Sequence, residues 1–128
     1  MASGHRNYSI EPISLAHDAP AYMVDAMKDL GLQEWIMIDG KKRSNPMVER
    51  FAEKSTGVRR DAIAYPWCSF WLGAKLEYND ISCTRSGMAR SYLKFGDAVA
   101  EHEAKVGDIV VTWRGRSDDG VTGHVFFF

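Results

Sequence analysis

The chain has 128 residues, 45% of them apolar and 26% charged, with a formal net charge of −1. These values exclude global disorder and low-complexity or collagen-like classes, and the length suits one domain that buries roughly two-thirds of its unfolded surface. A balanced charge speaks against a dedicated nucleic-acid or anionic-membrane binder, and no stretch approaches the ~20 apolar residues of a membrane span.

Residues 1–17 carry no sustained periodicity and read as an N-terminal arm, with the domain proper over 18–128. Asp18 offers a helix cap with Pro20 in the first turn, and Tyr22, Met23, Ala26, Met27 and Leu30 recur at helical spacing until Gly31. Trp35 to Ile38 is a short apolar stretch, followed by a polar, turn-like run from Asp39 to Ser44. Asn45-Pro46 is a cap and first-turn pair for a second helix, whose apolar face is Met47, Val48, Phe51 and Ala52 and whose stop is Gly57. A linker from Val58 closes on Tyr65-Pro66. Proline disfavours helix in the residue before it, so the third helix starts at about Trp67 and carries Phe70, Trp71, Ala74 and Leu76. Ser86 caps a predicted fourth helix with Met88, Ala89, Tyr92, Leu93 and Phe95 inward. After Lys105 the pattern becomes β-branched. Ile109 to Trp113 and Val121 to Phe128 read as two strands around a polar loop. Helices first and strands last predict an α+β fold with an antiparallel sheet.

Cys68 is the most informative position for chemistry. It falls in the first turn of an apolar helix, where unpaired N–H groups and the helix dipole favour a thiolate. A buried structural cysteine is the competing account. His124 strengthens the nucleophile reading, because a neutral imidazole accepts a thiol proton and returns it to a leaving amine. His5, His17 and His102 read as solvated. Metal chemistry has little support, since neither C-x-x-C nor H-E-x-x-H occurs. The basic run Lys41-Lys42-Arg43 reads as a solvated turn, and Gly115, Gly120 and Gly123 fit a hairpin and not a phosphate cradle. The two cysteines, Cys68 and Cys83, are too few for a disulfide framework and read as free thiols. The N-terminus lacks the apolar core of a signal peptide, so synthesis in the cytoplasm is expected.

Pro66-Trp67-Cys68-Ser69-Phe70, the segment Lys105 to Val111 and Gly123-His124-Val125 together resemble the NlpC-type and CHAP-type papain-like cysteine peptidases and amidases that cut bacterial peptidoglycan. Residues Arg85 to Leu93 with Gly96, and Leu30-Gly31 with Asn45-Pro46, look like the short phage and bacterial lysin branch. The resemblance implies N-terminal helices packed on a C-terminal antiparallel sheet, and hydrolysis of an amide bond in the stem peptide or at its junction with the sugar. Cys68 is then the nucleophile and His124 the base, and no cofactor or metal is required. Tyr65, Trp67, Ser86 and Trp113 are the candidate substrate contacts. Action on the wall would follow holin-type release or toxin delivery, the latter implying an immunity protein as partner.

One departure stands out. The family places a third, imidazole-orienting polar residue on a strand after the histidine strand, and only four residues follow His124. Asp118 and Asp119 are poor substitutes by position. The resemblance therefore reads the catalytic sheet as incomplete at the C-terminus, with an exposed edge at Val125 to Phe128 that invites dimerisation. An inactive relative that binds wall peptides or a protein partner is the alternative.

Overall fold

Asp39-Gly40 shows how local chemistry shapes this chain. In the computed structural model, which describes residues 19–113 and 123–128, both residues take positive φ, 51° and 73°. That is the backbone of a two-residue hairpin turn of the primed type, which glycine and aspartate tolerate best. It joins β1 (Trp35–Ile38) to β2 (Lys41–Ser44) as an antiparallel pair. The polar run expected to be a turn is therefore a two-residue turn followed by a four-residue strand. Lys42 sits 4.3 Å over the Trp35 ring, so the basic run lies along a strand and one of its members covers an aromatic face.

The helical segments follow their caps. α1 (Ala21–Met27) begins after Pro20 and buries Met23 and Ala26. It ends before the expected Leu30, because the next amides bond three residues back, Asp29 N to Ala26 O and Leu30 N to Met27 O. This tightening leaves Leu30 exposed. α2 (Pro46–Thr56) has its Asn45 side chain accepting from Met47 N, proline in the first turn, and Gly57 in the left-handed region as its stop. α3 (Cys68–Tyr78) buries Ser69, Phe70 and every residue from Leu72 to Leu76, so it is the central helix, apolar nearly all round. It packs closely on α2 at Gly73, where an added Cβ would stand 2.8 Å from the Ser55 Cβ.

The predicted fourth α-helix is instead a 3₁₀ segment, Ala89–Lys94. Three residues per turn stack Ala89, Tyr92 and Phe95 on one side. Ala89 and Tyr92 are buried and Phe95 packs on the core, whereas Met88 and Leu93, expected inward, are 45% and 55% exposed. Ser86 still caps locally, its Oγ accepting from Met88 N at 3.1 Å.

β3 (Ile109–Trp113) pairs antiparallel with β4 (Gly123–Phe127). The register sets Val111 opposite Val125, Ile109 opposite Phe127 and Thr112 opposite His124. Alternation then sends Ile109, Val111, Val125 and Phe127 onto Leu72, Leu76, Ala89 and Tyr92. The result is a small α+β fold with two separate two-stranded antiparallel sheets among the described residues. Among those residues no helix is long and apolar enough to cross a membrane.

Candidate active site

Cys68 is the first residue of α3 because Pro66 bars helix before it. The helix's first internal bond runs from Trp71 N to Trp67 O at 2.9 Å, so the amides of Cys68, Ser69 and Phe70 have no partner within the helix. The thiol is free and half-buried, and the residue packs against the cluster of Leu72, Leu76 and Val125. A thiol beside the first amides of a helix is an arrangement compatible with an oxyanion site.

His124 is the second residue of β4. Its ring stacks on Phe126 with centroids 5.5 Å apart and planes 29° apart. The preceding position must be glycine for steric reasons. A Cβ there would lie 2.9 Å from Thr112 O and 3.2 Å from Arg90 Cγ. The Gly-His pair thus lets β4 lie close against β3 while presenting an imidazole one residue later.

Cys68 and His124 line one groove of about 460 Å³, with Trp67, Trp71, Phe126 and Asp29 among the other walls. Three consecutive β4 residues, His124 to Phe126, border it. Of the sequence-predicted contacts, Trp67 is in this groove, whereas Tyr65 and Ser86 are not among its lining residues. Tyr65 is 45% exposed beside Arg60, and the Ser86 carbonyl accepts from Ser69 Oγ at 2.7 Å. The Trp113 side chain, Asp118, Asp119 and the N-terminal histidines lie outside the described residues.

Comparison with known protein families, with curated proteins and with solved structures finds no match to this chain.

Sequence reasoning missed Asp29. It stands in the turn after α1, and its Oδ2 accepts from Trp71 Nε1 at 2.8 Å and from Lys75 Nζ at 2.6 Å. Lys75 also reaches Asp25 Oδ1 at 3.3 Å and lies over the Phe51 ring. The signal was present as a lysine inside the apolar run Phe70 to Leu76. A charge at a core position demands carboxylate partners from elsewhere in the fold.

The second thiol has a different setting. Cys83 Sγ donates to Ser55 O and accepts from Arg85 N, both at 3.3 Å, and burial pushes the thiol up from 9.0. That is the environment of a structural cysteine. The neighbouring Glu77 carboxyl is held down, chiefly by the Cys83 amide that it accepts. A larger cleft of about 850 Å³ runs beside β3, past Val110, Thr112 and Phe126. Its described lining residues include no cysteine or histidine, so size alone does not mark the chemistry. Among the described residues no group of three or more His, Cys, Asp or Glu side chains is placed to hold a metal ion.

Proposed function

We propose that this protein is a cysteine hydrolase of papain-like kind that cuts an amide bond in bacterial peptidoglycan. The observation that carries the reading is the shared groove of Cys68 and His124, two residues brought together from the first turn of α3 and from β4. Support for the substrate class comes from the Pro66-Trp67-Cys68-Ser69, Gly107-Asp108-Ile109-Val110 and Gly123-His124-Val125 motifs in that order.

The chemistry runs in two halves. His124 accepts the Cys68 proton as the sulfur attacks the carbonyl carbon, and the C=O pair moves onto oxygen. The Cys68 amide donates to that oxyanion, a kind of contact worth about 3 kcal/mol in comparable sites. Collapse breaks the C–N bond, the imidazolium protonates the departing amine, and a thioester remains. Water, deprotonated by His124, then attacks the thioester, releasing the acid and restoring the thiol. Trp67, Trp71 and Phe126 supply apolar walls to the groove beside Cys68 and His124. The route to the wall in this reading is holin-type release or delivery as a toxin.

The test is digestion of purified sacculi with mass spectrometry of the released fragments, comparing wild type, Cys68→Ala and His124→Ala. Wild type should release fragments and both variants should lose that activity by at least about a thousandfold. New amino termini within stem peptides identify a peptidase, and intact stem peptides freed from glycan identify an amidase. Iodoacetamide should label Cys68 faster than Cys83 at pH 7, and His124→Ala should slow the first without changing the second. No release by wild type, together with equal labelling of the two thiols, refutes the hydrolase reading.

A further inference from the structure

The hydrogen bonds that tie the β1–β2 hairpin to the body lie at its base, where Asn45 N donates to Glu34 O at 2.9 Å and Ala62 N to Ser44 Oγ at 2.7 Å. Beyond them every residue from Met37 to Arg43 is exposed. Met37 and Ile38 are 56% and 48% exposed although they are consecutive strand residues beside the turn. Single apolar residues on a surface need no explanation, but an adjacent pair at the tip of a ribbon does. The register sets a cation across from each, Lys42 opposite Met37 and Lys41 opposite Ile38, with Arg43 next along the strand. None of the three cations is in an ion pair among the described residues. Three positive charges against Asp39 leave the tip positive by two, in a chain whose net charge is −1. A balanced whole-chain charge disfavours a dedicated membrane binder, but charges more than about 8 Å away are screened at physiological salt. An approaching surface therefore meets the local sign.

We propose that the β1–β2 hairpin is a docking tip for an anionic lipid surface. A soluble polyanion would pair with the cations and leave Met37 and Ile38 in water. A bilayer face takes both, with lipid phosphates on the lysine and arginine heads and the apolar side chains in the acyl boundary, about 5–10 Å deep. Three steps of about 3.3 Å carry Ile38 roughly 10 Å past Trp35, so the ribbon spans that depth. Trp35 stands at its base with Lys42 over the ring, an amphipathic pair suited to the headgroup level. The proposal does not depend on the chemistry of the Cys68 groove.

Vesicle flotation tests it, with phosphatidylcholine alone and phosphatidylcholine mixed with phosphatidylglycerol. Wild type should bind the mixed vesicles at least about tenfold more tightly than the neutral ones. Lys41→Gln with Arg43→Gln should lose at least about tenfold on the mixed vesicles, and so should Met37→Ser with Ile38→Ser. Asp39→Asn removes the tip's acid and should gain at least about threefold. Asparagine tolerates the left-handed backbone at that position, and a gain cannot come from unfolding. Equal binding to both vesicle types, or no binding, overturns the proposal. So does a Met37→Ser, Ile38→Ser variant that binds like wild type, especially if polyphosphate in solution binds both equally, since the tip would then be a polyanion site. Losses in the two double variants without the Asp39→Asn gain overturn it as well. Sacculi contain no bilayer, so their digestion should be the same for wild type and all these variants, and a failure of the hydrolase reading leaves the vesicle result standing.

Discussion

Removing the Lys75 ammonium should expose how much of the fold depends on one shared charge. Its Nζ lies 2.6 Å from Asp29 Oδ2 and 3.3 Å from Asp25 Oδ1, and 4.8 Å from the centre of the Phe51 ring. Lys75→Met keeps the length and the apolar contact with Phe51 but leaves two carboxylates without their cation. Stripping one partner from a buried pair costs about 3–5 kcal/mol. Asp29 is 11% exposed and must bear most of this, whereas Asp25 is 26% exposed and recovers some hydration. Asn79 Nδ2 still donates to Asp25, and Trp71 Nε1 to Asp29. The lower part of the range, about 3 kcal/mol at pH 7, is therefore expected. Urea unfolding of wild type and variant at pH 7 measures it. A loss below about 1 kcal/mol refutes the argument that Lys75 is held as a buried counter-ion.

Gly73→Ala should destabilise despite alanine's better helix propensity. The new Cβ meets Ser55 Cβ at 2.8 Å, Tyr92 Oη at 3.0 Å and Cys83 Sγ at 3.3 Å, so α2 and α3 must part. Overpacking of about 2–3 kcal/mol against a gain of about 1 kcal/mol leaves a net loss, read as a fall in Tm of roughly 5 °C. A rise in Tm would show that the two helices are not so close. Alkali should also weaken the fold. Burial raises Cys83 from 9.0 and Tyr22 and Tyr92 from 10.0, with Asp108 adding to Tyr22 and Tyr92 pushed up to about 12. The folded chain holds these protons longer than the unfolded one, so stability is complete below pH 9 and declines as pH climbs toward 12. Tyr92 accounts for roughly 3 kcal/mol of that decline, and Tyr92→Phe should flatten the urea midpoint between pH 10 and pH 12. An equally steep decline in that variant would rule out Tyr92 as its source.

Elements with strong end signals were legible in the sequence. Asn45-Pro46 and Gly57 bound α2 because a side-chain acceptor, a fixed φ and a left-handed stop act within a few residues. Pro66 placed the start of α3 for the same reason. The hairpin at β1 and β2 was less legible, since Lys41-Lys42-Arg43 carries no apolar alternation. The Asp39-Gly40 turn, rather than burial, imposes the pairing. The apolar pattern of the 3₁₀ segment fits an α-helix equally well, because both repeats place Ala89 and Tyr92 together. Only packing against Leu72 and Leu76 separates the two geometries.

The candidate site divides along the same line. The residue types and their local settings, a thiol after a proline and a histidine after a glycine, are properties of short segments and can be read without the fold. That α3 and β4 meet, so that Cys68 and His124 share a groove, follows from packing between distant segments. Asp29 belongs wholly to the second kind. A turn residue 46 positions away from Lys75 acquires its meaning when that lysine is buried, because a charge in low dielectric must find its counter-ion wherever the chain supplies one.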